Sequence, residues 1–118
     1  MSIYNKSIQD LNALIKKEVR IVKTAKELSI YLANEFCNIL EQKQKNNEML
    51  TVILPVGPID YTYFAKEINK RNLSLKNLRT INMDEYLDED DKFISIDHPM
   101  SFRKFMIDSF FSKIPEER

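Results

Sequence analysis

A single glycine, a single histidine and a single cysteine stand among 118 residues, and each scarcity closes off a class of chemistry. One cysteine, Cys37, excludes an internal disulfide, and with His98 as the lone histidine no Cys/His metal cluster can be assembled. An excess of either charge is equally missing. Eighteen basic and eighteen acidic residues cancel, and no Lys/Arg stripe with interleaved aromatics marks a nucleic-acid surface. The longest apolar stretch, around residues 52–54, is far too short to span a bilayer, and residues 1–17 scatter charges among their apolar positions. The expectation is a soluble cytoplasmic protein with no cofactor, no metal, no nucleic-acid partner and no membrane partner, in which Cys37 is a packing residue on a helix. At 118 residues the chain is one domain at most, and short for a doubly wound sheet covered on both faces.

What is present is an alternation of short β-like and longer helical segments. Ser7, with Asp10 three residues on, is placed to cap a short helix in which Ile8, Leu11, Leu14 and Ile15 recur at helical spacing. Residues 19–22 set Arg20 among β-branched neighbours and read as a strand. Thr24 with Glu27 forms a capping box, and Leu28, Leu32, Phe36, Ile39 and Leu40 lay one apolar stripe along a helix reaching about Lys45. Residues 50–54, apolar except for Thr51 and closed by Pro55, predict a strand buried on both faces. Asp60 is placed to cap a helix packed through Tyr61, Phe64, Ala65 and Ile68 and ending near Asn72. Residues 78–83 form a further strand, and Asp97 with Pro99 starts a last helix whose Phe102, Phe105, Met106, Ser109 and Phe110 face inward. The order β, α, β, α, β, α predicts a parallel α/β sheet with flanking helices. Residues 1–18 read as a helical lead-in and residues 19–118 as the α/β unit, with no internal repeat, linker or low-complexity tract.

Two places carry chemistry. Asn82-Met83-Asp84-Glu85-Tyr86 puts paired carboxylates where an apolar strand runs out into a loop, and the carboxyl ends of strands line the ligand crevice of open α/β sheets. Asp84 and Glu85 are therefore candidates for proton chemistry, against the plainer reading that they begin the acidic loop continuing through Asp88, Glu89, Asp90 and Asp91. Gly57 sits where the residue 50–54 strand turns toward the next helix, whose N-terminus offers N–H groups and positive potential to an anion. A phosphate site and a plain tight turn both fit, since Pro58 supplies no N–H and Ile59 no hydroxyl.

Leu54-Pro55-Val56-Gly57, Ser74-Leu75-Lys76-Asn77, Asn82-Met83-Asp84-Glu85-Tyr86, and Asp97-His98-Pro99 followed by Ser101-Phe102 and Phe105-Met106 resemble, in order and spacing, the N-terminal half of the glucosamine-6-phosphate deaminase/isomerase family. The resemblance runs from about Val19 to the end. It implies a Rossmann-like three-layer α/β sandwich, present here as an incomplete half, and a phosphorylated hexosamine or hexose as ligand. It further implies that Asp84 moves the proton between C2 and C1 of the opened sugar, that Glu85 supports the loop, and that Gly57, Pro58 and Ile59 stand at the phosphate loop. There the family's usual small residue and threonine are replaced by Pro58 and Ile59, and Val56 stands where threonine is common. His98 matches a helix start, not the family's ring-opening histidine. Tyr86 favours this branch over relatives that hydrolyse 6-phosphogluconolactone, which typically carry Asp-Glu-Arg at the same strand end.

The family's Asp-Gly-His and Asn-Glu-Pro segments have no counterpart in these residues. The resemblance thus implies the N-terminal fragment of a larger enzyme, inactive by itself, with a homo-oligomer left open. A sugar-phosphate-binding sensor domain is the competing class; a helix-turn-helix before Val19 would favour it, and the first 18 residues offer one helix.

Overall fold

The protein is seen in a computed structural model that describes residues 7–15 and 18–118. Its elements follow the chain as α1 (Ile8–Ile15), α2 (Ala25–Lys45), β1 (Leu50–Leu54), α3 (Thr62–Lys70), β2 (Leu78–Asn82) and α4 (Phe102–Ser109), with a 3-10 turn at Phe111–Lys113. Residues 1–6 and 16–17 of the expected lead-in lie outside the described residues, as do the side chains of Ile8, Leu11 and Ile15. Within the described part, the Ser7 hydroxyl accepts the Asp10 N–H at 3.2 Å and the Asp10 carboxylate takes the Ser7 N–H at 2.9 Å, a reciprocal cap that starts α1.

Residues 19–22 are irregular chain and not the expected strand. β-branched residues stabilise a strand only against a neighbouring one, and here Arg20 is drawn to the next helix instead. Its guanidinium donates to the Tyr31 hydroxyl at 2.6 Å and lies 5.1 Å from that ring's centroid.

The Thr24 hydroxyl accepts the Glu27 N–H at 3.1 Å, and α2 then runs to Lys45. Its buried face is Ala33, Phe36, Cys37 and Leu40, while Ile39, placed on the stripe by sequence, is 46% exposed. Positions 33, 36, 37 and 40 repeat at helical spacing, and Ile39 falls on the flank. Burial also pushes the Cys37 thiol up to about 11, which keeps it protonated and makes it a packing group.

Strands β1 and β2 pair in parallel from Leu50 opposite Leu78 to Leu54 opposite Asn82, and the Met83 N–H extends the ladder to the Leu54 carbonyl at 3.0 Å. Alternation divides the sheet. Leu50, Val52, Leu54 and Leu78 join the core with the helices, whereas Thr51, Ile53, Arg79 and Ile81 on the other face are exposed. β1 is therefore buried on one face, not on both as its apolar run suggested: Ile53 is 61% exposed and Ile81 52%. The fold is α/β, a two-stranded parallel sheet with flanking helices, and two layers of the implied sandwich are present among the described residues.

Tyr61, Phe64, Ala65 and Ile68 are buried as their spacing predicts, and Asp60 takes the Thr62 N–H at 3.0 Å and the Thr62 hydroxyl at 2.6 Å at the start of α3. Arg71 locks α3 to α2, donating to Glu67 at 2.7 Å, Asn38 at 2.8 Å and Asn34 at 3.0 Å. The rings of Tyr61 and Phe64 lie 5.5 and 6.0 Å from that of Phe110, distances at which aromatic pairs add about 0.5–1.5 kcal/mol beyond burial. Phe110 and Met106 thus anchor α4 to the core, while Phe105, expected inside, is 39% exposed.

Candidate functional site

The carboxyl edge of the sheet is formed by two segments, one leaving β1 and one leaving β2. After Asn82 the chain needs an anchor to turn away from the sheet, and Glu85 provides it. One of its carboxylate oxygens accepts the N–H groups of Tyr86 and Phe102, each at 2.9 Å. The other accepts the Ser101 hydroxyl at 2.9 Å, the Arg103 N–H at 3.0 Å and Arg103 Nε at 3.3 Å. Two of these donors are orphan amides of the first turn of α4, so Glu85 acts as a helix cap delivered from another part of the chain. Burial would push its carboxyl up, but the N–H groups of Arg103, Phe102 and Tyr86 and the Ser101 hydroxyl prevail and hold it at about 2, below the ordinary 4.5. Its side chain is only 6% exposed.

The Glu85 anchor explains where α4 begins. The expected start at Asp97 is replaced by an N-cap at Ser101, whose hydroxyl accepts the Lys104 N–H at 3.3 Å. Residues 95–100 form turns instead: the His98 N–H donates to the Ser95 carbonyl at 3.0 Å, and His98 Nδ1 accepts the Met100 N–H at 3.1 Å. His98 is exposed in this turn and lines no part of the cavity described next.

Between the end of β2 and the start of α4 lies an open cavity of about 450 Å³. It is lined by Thr80, Asn82 and Met83 from the end of β2, by Asp84 and Glu85 just after it, and by Phe93 and Arg103. Asp84 is exposed and, among the described residues, makes no hydrogen bond or ion pair, so its carboxylate is available to a ligand. The adjacent carboxylates therefore differ completely in environment: Glu85 is consumed by structure and Asp84 faces solvent and cavity.

The acidic loop after them is a separate turn. Asp88 accepts the Asp90 and Lys92 N–H groups at 2.9 and 3.0 Å, and Leu87 and Phe93 close it as an antiparallel bridge. Tyr86 turns back onto Phe102, ring centroids 4.9 Å apart.

The β1 segment is tied differently. The Tyr61 hydroxyl donates to the Pro55 carbonyl, and the Asp60 N–H donates to the buried Ser29 hydroxyl at 3.0 Å. Gly57, Pro58 and Ile59 lie in this turn, on the same carboxyl edge as Asp84 but not on the cavity wall. A Cβ on Gly57 would meet nothing within 4 Å, and its φ is not in the left-handed region, so neither space nor backbone requires glycine here. Sequence reasoning does not mark Arg103, Thr80 or Phe93, and it names Asn82 only as part of the block around Asp84 and Glu85. No periodicity or motif distinguishes Arg103 from Lys104, the other cation of its helix, and its position depends on Glu85, 18 residues earlier.

Comparison with known proteins returns one consistent name. The chain is 33% identical over 102 residues to a glucosamine-6-phosphate deaminase of Treponema denticola, a match covering 82% of this chain and 36% of that protein. It is 29% identical over 97 residues to the glucosamine-6-phosphate deaminase of Caenorhabditis elegans, covering 80% of this chain and 34% of the relative. With that of Streptococcus pneumoniae strain R6 the identity is 35% over 78 residues, 65% of this chain and 30% of the relative. No protein-family model matches. Over most of its length the chain thus resembles the glucosamine-6-phosphate deaminase family, and it spans about a third of the length of the curated relatives it matches.

Proposed function

We propose that this chain supplies the proton-transfer carboxylate to an enzyme that converts glucosamine 6-phosphate and water to fructose 6-phosphate and ammonia. Asp84 takes the proton from C2 of the opened sugar and returns it at C1, by way of a 1,2-enolamine; the C2 imine so formed is hydrolysed by water, which breaks the C2–N bond and releases ammonia as the C2 ketone forms. One carboxylate on one face of the substrate serves both steps, because the group that accepts the proton is then the acid that delivers it. Glu85 fixes the loop that carries Asp84. The observation that carries this reading is the division between the two acids: Glu85 accepts five hydrogen bonds, while Asp84 lines the cavity with no partner among the described residues.

The name shared by the relatives supports the amino-sugar substrate, and their greater length supports an active site completed by residues beyond these 118. We place the reaction in the cytoplasm, where charged sugar phosphates are retained. Gly57, Pro58 and Ile59 contribute backbone at the edge of the ligand, with Pro58 lacking an N–H and Ile59 a hydroxyl.

The test is a chimaera in which this chain replaces its matched segment in the Treponema denticola deaminase. Ammonia release from glucosamine 6-phosphate is expected, and Asp84→Asn should lower turnover by about two to four orders of magnitude. Binding of the sugar phosphate by a folded chimaera without ammonia release, and without exchange of the C2 proton in heavy water, would instead identify a sensor.

A further inference from the structure

Arg103 is the one cation on the cavity wall among the described residues, and its guanidinium is held on three sides. Nε donates to Glu85 at 3.3 Å, Nη2 donates to the Ile94 carbonyl, and the Phe93 ring centroid lies 5.8 Å from Cζ. Nη1 has no hydrogen-bond partner among the described residues, and the side chain is 40% exposed. Of the five hydrogen bonds that Glu85 accepts, four come from groups other than the guanidinium: the amides of Tyr86, Phe102 and Arg103 and the Ser101 hydroxyl. The charge of Glu85 is spread largely over the start of α4, so the guanidinium keeps positive potential for a second anion. Its plane is fixed before any ligand arrives, which lowers the ordering cost of binding. The β1 turn, by contrast, offers an anion neither a cation nor a hydroxyl at Gly57, Pro58 or Ile59.

We propose that Arg103 is the anion-binding residue of the cavity, receiving a phosphate oxygen of the ligand through Nη1 while Asp84 faces the sugar carbons. This assignment rests on the amino-sugar phosphate reading only for the identity of the ligand. With Nε and Nη2 already engaged, Nη1 offers a phosphate oxygen a charge-assisted donor whose position is fixed, and a cavity of about 450 Å³ is within the size range of small-molecule sites.

The test is an NMR titration of the isotopically labelled 118-residue chain with inorganic phosphate, glucosamine 6-phosphate and glucosamine, following the Arg103 Nε–H signal. Both phosphates should move that signal and glucosamine should not, and glucosamine 6-phosphate should saturate at the lower concentration. Arg103→Gln should weaken glucosamine 6-phosphate binding by about tenfold or more, with Arg103→Lys intermediate because it keeps the charge and loses the fixed Nη1 donor. If phosphate moves the Arg103 signal but glucosamine 6-phosphate binds no more tightly than phosphate, Arg103 stands as the anion site and the amino-sugar reading falls. Equal binding of glucosamine 6-phosphate by Arg103→Gln and the parent overturns the Arg103 assignment and leaves that reading intact. A silent Arg103 signal in the unaltered chain with all three probes also overturns it, a measurement independent of whether the variants fold.

Discussion

The two segments that leave the carboxyl edge of the sheet differ in what they are tied to. The turn after β1 is fastened to the helices behind it, through Asp60 to Ser29 of α2 and through Tyr61 to Pro55, and lines no part of the cavity. The segment after β2 reaches forward to α4 through Glu85, and the space left between strand and helix is the cavity that Asp84 and Arg103 line. A place at the strand ends is therefore not sufficient to line the cavity. A second element must be held at a distance, and here a buried carboxylate does that.

The sharpest way to break this contrast is to remove the brace. Glu85→Ala leaves the Ser101 hydroxyl, two α4 amides and the Arg103 guanidinium without their acceptor, and should cost about 2–4 kcal/mol in a denaturant titration. An effect on the scale of a surface substitution, under about 0.5 kcal/mol, would mean that α4 is held by Phe110 and Met106 alone. The same brace gives the fold an acid limit. Because the Glu85 carboxyl is held at about 2, below its ordinary 4.5, its stabilisation is complete above about pH 4.5 and is lost as the pH falls toward 2. Glu85→Gln should accordingly show a flatter dependence of melting temperature on pH between 6 and 3 than the parent.

On the β1 side the matching change is smaller. Ser29→Ala removes the acceptor of the Asp60 N–H and should cost about 1–2 kcal/mol by the same titration, without altering phosphate binding at Arg103. The smallest effect belongs to the turn itself. The double substitution Pro58→Ser and Ile59→Thr supplies one N–H and two hydroxyls, and should strengthen glucosamine 6-phosphate binding by less than about tenfold in calorimetry, because exposed hydrogen bonds contribute little each. A larger gain would move the anion site from Arg103 to the β1 turn.

Local chemistry was legible in the sequence and tertiary chemistry was not. The reciprocal caps at Ser7 and Asp10, the Thr24 cap of α2, the bounds of β1 and the buried face of α3 all depend on neighbours within a few residues. Residues 19–22 have strand composition, but a strand exists only with a partner, and Arg20 found Tyr31 instead. Asp97 with Pro99 two residues on is a local signal for a helix start; the cap that prevails, Ser101 with Glu85, needs a carboxylate from 16 residues away. The exposed face of β1 was hidden in its apolar run, since composition does not say which side of a sheet is covered. Asp84 is visible as a strand-end acid, but its separation in environment from Glu85, and the presence of Arg103 on the same cavity, appear only once the loop is docked.

The account rests on two adjacent carboxylates doing different work, and a paired substitution tests that most directly. In the Treponema denticola chimaera, C2-proton exchange of glucosamine 6-phosphate in heavy water is measured beside the melting temperature for Asp84→Asn and Glu85→Gln. Asp84→Asn should abolish exchange with the melting temperature nearly unchanged, and Glu85→Gln should lower the melting temperature while leaving exchange in the molecules that remain folded. Full exchange in Asp84→Asn, or a stable Glu85→Gln that has lost it, would contradict the division of roles.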